Sequence, residues 1–210
     1  MRIPFMPLFA ACALLFGHAA NADTRPPGQP GAQSGGLALD LARIRQATSR
    51  FRDINVALAE GYVVAPPGEC VSAESEGQPK QLGAMGVHLA RMDLLGITVV
   101  TPRVDGTGIN TDFSTPTVLV YEPGANGQYE LVALENLVFA HAWAAAGNSA
   151  PPSFHGNQYY LTIDNPVTPI DEAHGFEPHY ELHIWLYRDN PAGLFMPYNT
   201  RASCPAPLKR

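Results

Sequence analysis

The chain has 210 residues and a formal charge of −6, with 46% hydrophobic and only 15% charged residues. Soluble domains average about 25% charged residues, and an intrinsically disordered chain is charge-rich and apolar-poor, so disorder is excluded. The acidic balance excludes a basic nucleic-acid footprint, and 19 glycines with 20 prolines argue against a compact helical bundle.

Arg2 gives a short positive start, residues 5–17 are apolar or small, and Ala20-Asn21-Ala22 has the small-x-small form of a signal-peptidase site. The pattern predicts a signal peptide over residues 1–22, a mature chain from Asp23, and a periplasmic or secreted protein. A lipobox reading at Phe9-Ala10-Ala11-Cys12 ranks below this, because Phe stands where an aliphatic residue is usual. The apolar run is shorter than the roughly 20 residues of a spanning helix. No later segment approaches that length without charges or prolines, so no membrane span is expected. Cleavage removes Arg2 and Cys12. Cys70 and Cys204 remain as an even pair in an oxidising context, which predicts a disulfide between them. Their neighbours are Pro, Ser and Glu rather than apolar runs, which disfavours the alternative of two buried free thiols.

Residues 23–36 carry no large apolar side chain and read as a flexible leader. Residues 37–210 then read as a single α+β domain. Leu37, Leu41, Ile44, Ala47, Phe51, Ile54 and Leu58 recur every three or four positions up to Gly61, which predicts one long N-terminal amphipathic helix. Residues 62–84 read as a long loop pinned by Cys70. Strands are expected at Ile97–Thr101, Thr117–Glu122, Gln128–Phe139, Gln158–Ile163 and His179–Tyr187, with a hairpin turn at Asn126-Gly127. Pro151-Pro152, Asn165-Pro166 and Asn190-Pro191 punctuate long loops between them. The helix should pack on a mostly antiparallel sheet.

The strand from His179 to Tyr187 carries the clearest chemical pattern. Alternation puts Tyr180, Leu182, Ile184 and Leu186 on an apolar face, and His179, Glu181, His183, Trp185 and Tyr187 on the other. Same-face neighbours lie about 6.5–7 Å apart, near enough for imidazoles and a carboxylate to meet at one metal with help from another strand. The alternative is a polar face turned to water. Glu135 stands on a strand face with Tyr129, Leu131, Ala133, Leu137 and Phe139, where a carboxylate must be paired, metal-bound or protonated. The competing reading pairs it with Arg91, Arg188 or Arg201. Gly83-Ala84-Met85-Gly86-Val87-His88 suits a sharp turn that presents an imidazole, or equally a core histidine. His141 and His155 read as structural, and His174 as an exposed turn residue. Asp105 to Asp112 lacks the order of a calcium loop. No nucleophile elbow, zinc-protease helix, phosphate loop or Cys-x-x-Cys is present.

Several blocks together resemble an uncharacterised family of secreted or periplasmic bacterial proteins. They are Ala47-Thr48 through Asp53, Ala59-Glu60-Gly61-Tyr62, Met85-Gly86-Val87-His88, Leu119-Val120-Tyr121-Glu122-Pro123, and Leu182 through Gly193 to Asn199 and Cys204. The resemblance spans about residues 47–204 and implies compartment and single-domain build rather than an activity. It singles out His88, Glu135 and His183 over His179 and Glu181; the family pattern has Glu where this chain has Thr117.

The leading expectation is a metal-binding domain holding one divalent transition metal. His88, His183 and Glu135 are its ligands, with Glu181 or His179 fourth or beside them. Two His and one carboxylate suit zinc or non-haem iron, and copper if Met85 also ligates. One alternative is a metal-free module holding a small apolar or aromatic molecule among Trp185, Tyr187, Tyr121 and Tyr198; another is a structural envelope protein.

Overall fold

The computed structural model describes residues 31–66, 68–124 and 127–205, with side chains described from Gly36 onward. The segment read as a signal peptide, with Cys12, lies outside the described residues.

The long amphipathic helix expected from Leu37 to Gly61 is instead broken into pieces. Helix α1 (Gly31–Thr48) begins inside the stretch read as a leader, runs into a 3-10 turn at Ser49–Arg52, and is followed by the short helix α2 (Ile54–Ala59). The break is at Asp53, whose backbone is extended and whose carboxylate accepts a hydrogen bond from the Asn55 amide at 2.9 Å. A short carboxylate competes for backbone amides in this way and caps a new helix rather than continuing the old one. The apolar stripe is also only partly used: Ile44, Phe51 and Ala57 are buried, whereas Leu39 and Leu58 are exposed.

Eleven strands follow. The stretch read as a loop over 62–84 contains β1 (Tyr62–Val64), β2 (Val71–Ser72) and 3-10 turns at Glu74–Glu76 and Lys80–Leu82. These pieces are too short to show a period. The segment expected to turn sharply before His88 is the strand β3 (Ala84–Arg91). Gly86 lets it lie there: its φ is +130°, and a Cβ would stand 2.6 Å from the Tyr121 carbonyl oxygen of the next strand. Then come β4 (Ile97–Val99), β5 (Asp105–Gly106), β6 (Val118–Pro123) and β7 (Tyr129–Phe139). Helix α3 (Ala140–Ala145), β8 (Ser153–Phe154), β9 (Asn157–Gln158), β10 (Tyr160–Thr162) and β11 (His179–Ile184) complete the order.

The main sheet is antiparallel with strand order β1-β3-β6-β7-β11-β10, and β2 also pairs with β3. The helical segments cover one face. Ile44, Phe51 and Ala57 pack there against Leu89, Leu119 and Leu182, each large side chain contributing about 1.5–3 kcal/mol on burial. The other face is covered by loops and α3, around Leu95, Val118, Leu137 and Phe176, and around Val120, Val132 and Trp185. Cys70 and Cys204 form a disulfide across 134 residues, with Cα atoms 5.6 Å apart. Among the described residues no helix is long and apolar enough to cross a membrane.

A bulge changes the faces of β7. Val120 pairs with Ala133 but Tyr121 with Leu131, so Val132 is an extra residue. Leu131 therefore packs in the helix-side core, while Ala133, Leu137 and Phe139 pack in the cores of the other face. Glu135, in the alternation from Ala133 to Leu137, shares that loop-covered face. Leu131 does not.

Candidate metal centre

Three neighbouring rows of the sheet bring the site together on the loop-covered face. Glu135 on β7 stands directly opposite His183 on β11, and on its other side opposite Val118 of β6. His88 on β3 pairs with Val120 of β6, which pairs with Ala133, two residues before Glu135. The branched but short side chains of β6 leave space above them, across which His88 reaches. Its Nε2 lies 3.3 Å from Glu135 Oε2, and His183 Nε2 lies 3.4 Å from the same oxygen. One ligand atom from each of the three residues lies within 4.8 Å of the others, so the group can hold a metal ion.

The polar atoms here are buried without ordinary partners. The side chains of Glu135 and His183 are 3% and 1% exposed, and that of His88 is 17% exposed. Neither contact has hydrogen-bond geometry, and Glu135 Oε2, His183 Nδ1 and His183 Nε2 have no hydrogen-bond partner among the described residues. Leaving such groups unpaired costs about 1–3 kcal/mol each. Arg91, Arg188 and Arg201, the alternative partners for Glu135, bind Asp93, Glu122 with Glu130, and Asp189 instead.

Burial sets the charge states. It lowers the His88 pKa to about 3, with the His183 imidazole adding to the effect, and it lowers that of His183 as well. Burial, then the charges of Glu181 and Glu76, push the Glu135 carboxyl well above its ordinary value. Without an ion, the fold thus favours three uncharged groups, two of them with imidazole lone pairs free to coordinate.

The expected neighbours on β11 are close but differently employed. His179 Nδ1 donates to the Glu177 carbonyl at 2.9 Å, and its Nε2 faces Glu181 Oε2 at 3.4 Å. Burial alone would raise the Glu181 carboxyl, but His179 and the other imidazoles hold it down at about 2. Both ring nitrogens of His179 are engaged, and neither it nor Glu181 belongs to the converging group. The face expected to be polar and possibly wet is buried at His179, Glu181, His183 and Trp185. Trp185 lies nearly parallel to His183 with ring centroids 6.4 Å apart, and its Nε1 donates to the Met196 carbonyl at 2.6 Å, which fixes the indole beside the imidazole. The strand ends at Ile184, so Tyr187 leaves this face and its hydroxyl meets Thr48 at 2.8 Å under the helices.

The four aromatics expected to share a pocket do not meet. Tyr121 hydrogen-bonds the Phe51 carbonyl on the helix side, as Tyr187 does Thr48, while Trp185 and Tyr198 lie on the other side. A cavity of about 40 Å³, room for about three waters, opens instead beside His88 and Glu135; His183 does not line it. His88, Glu135, His179 and Glu181 line it together with apolar Val118, Leu137 and Phe176. Met85 lines the cavity as well.

One wall was not legible as part of a site. His174, expected to be an exposed turn residue, lines this cavity with its side chain 19% exposed. Its Nε2 lies 2.8 Å from Glu76 Oε1, and the other oxygen of Glu76 accepts from the Tyr198 hydroxyl. Burial would lower the His174 pKa, but Glu76, with Glu181 and Asp171, raises it. The nearest local sign was Gly175 after His174 in a tight turn; nothing local linked it to Glu76 or Tyr198. No protein-family model, curated protein or solved structure matches this chain.

Proposed function

We propose that the protein is an exported metal-binding protein whose function rests on one divalent transition-metal ion held by His88, Glu135 and His183. The observation that carries this reading is the convergence of three buried ligand atoms from three strands, with Glu135 Oε2 and His183 Nε2 lacking any other partner. The 3.3 and 3.4 Å separations from Glu135 Oε2 are of the size that bonds of about 2.0–2.1 Å to a shared ion allow; the third pair lies within 4.8 Å, so an ion would draw the two imidazoles together. Two His and one carboxylate suit zinc or non-haem iron, and zinc is the ion to test first.

Three protein ligands would leave a tetrahedral ion one open position, and the cavity borders two of those residues, His88 and Glu135. A zinc ion so held acts as a Lewis acid and makes bound water more acidic. Export is inferred from the Arg2–Ala22 pattern and is supported by the Cys70–Cys204 disulfide.

The test is a cobalt titration of chelator-stripped protein, cobalt(II) serving as the visible counterpart of zinc. The reading expects one equivalent to bind with the strong visible bands of a four-coordinate ion, and zinc to displace it. Weak six-coordinate bands would turn the assignment to iron. Absence of stoichiometric binding by folded protein would remove the metal reading.

A further inference from the structure

Opposite the ligands, the same cavity is walled by a residue that no ligand role explains. His174 has φ +54°, a left-handed backbone that residues with a Cβ rarely adopt. Such positions persist only where the surroundings hold them, and they cluster at functional sites. The surroundings here are Glu76, one oxygen of which stands 2.8 Å from His174 Nε2 as an ion-pair contact while the other accepts from the Tyr198 hydroxyl, and Asp171, whose carbonyl accepts from the His174 amide at 3.3 Å. Glu76 and Tyr198 come from segments more than a hundred residues apart. The chain Tyr198–Glu76–His174 therefore fixes one imidazole at one place on the cavity wall.

We propose that His174 is the hydrogen-bond donor for a small anion, such as a carboxylate, azide or hydroxide, bound at the open position of the His88–Glu135–His183 centre. The inference rests on the metal reading and adds its ligand class. With Nε2 facing Glu76 at 2.8 Å, Nδ1 is the ring atom left to donate. The cavity's volume of about 40 Å³ leaves room for only a few heavy atoms. Any group seated on the ion therefore also meets the opposite wall. Of the other polar groups on the wall, the carboxylates of Glu69 and Glu181 are acceptors and His179 has both nitrogens engaged, so His174 is the donor. The Glu76 carboxylate favours the charged form of His174, which strengthens a hydrogen bond to an anion.

Azide titrations of cobalt-loaded protein, followed in the visible spectrum, test this. The variant is His174→Asn, because asparagine tolerates positive φ and is too short to reach the anion. Expected are equal cobalt stoichiometry in both proteins and azide binding about tenfold weaker in the variant. Glu76→Gln, which keeps the contact but removes the charge, should weaken azide by about threefold. Equal azide affinity in wild type and variants, or no azide-dependent change in wild type, overturns the proposal while leaving the metal centre standing. Failure of wild-type protein to take up cobalt would be seen before azide is added, and would instead remove the underlying metal reading. Should His174→Asn not fold, Glu76→Gln and Tyr198→Phe decide the question by the same comparison.

Discussion

Glu135 and His183 face each other in register across β7 and β11, and the carboxylate Oε2 of one stands 3.4 Å from Nε2 of the other without a hydrogen bond between them. Two buried polar groups at such a distance, each lacking another partner, are costly in an apolar sheet face. A shared cation satisfies both. His88, crossing above β6 to the same oxygen, supplies the third side of the same arrangement.

Glu135→Gln should separate the demands of folding from those of binding. The native carboxyl titrates well above its ordinary value, so between that ordinary value near 4.5 and the raised one the folded state binds more protons than the unfolded. The stability of metal-free protein therefore falls as pH rises through that window. Glutamine removes this loss. Chemical denaturation of metal-free protein at pH 7–8 should show Glu135→Gln more stable than wild type by about 1–3 kcal/mol, together with loss of stoichiometric metal. A less stable metal-free variant would mean that the carboxylate has a structural partner.

The two buried imidazoles act in the opposite direction. His88, held down at about 3, and His183, also lowered, stay neutral in the fold but accept protons when unfolded. Their contribution is present above about pH 6.5 and is lost as pH falls toward 3. With the opposing carboxyl removed, metal-free Glu135→Gln should lose about 1–3 kcal/mol between pH 6.5 and 5, and adding His88→Gln should flatten that slope. An unchanged slope in the variant would place the acid sensitivity elsewhere.

The disulfide ties the segment that carries Pro66, Glu69 and Val71 on the cavity wall to the C-terminal stretch. Loop-closure entropy over 134 residues corresponds to about 4–5 kcal/mol. Cys70→Ser with Cys204→Ser should lower Tm by about 10 °C and speed the loss of metal to a chelator. Calorimetry with a chelator-exchange time course measures both. Unchanged release would show that the strap does not guard the site.

Much of the site was legible because a strand has period two. The alternation His179, Glu181, His183 against Tyr180, Leu182, Ile184 holds in the fold, and Glu135 showed itself as a charge in an apolar run. His88 was singled out, but as the tip of a turn; the positive φ of Gly86, which lets β3 continue through a Gly-rich stretch, leaves no periodic mark. The bulge at Val132 and the Asp53 break are local choices of backbone that apolar spacing does not record. Glu76, His174 and Tyr198 come from three loops with no common period, and only tertiary folding joins them.

The most direct test of the centre is the metal content of untagged protein purified from its native compartment, measured by elemental mass spectrometry. The account predicts one zinc per chain, retained through purification and lost in both His88→Ala and His183→Ala. Folded wild-type protein carrying no stoichiometric metal, or variants that keep it, would contradict it.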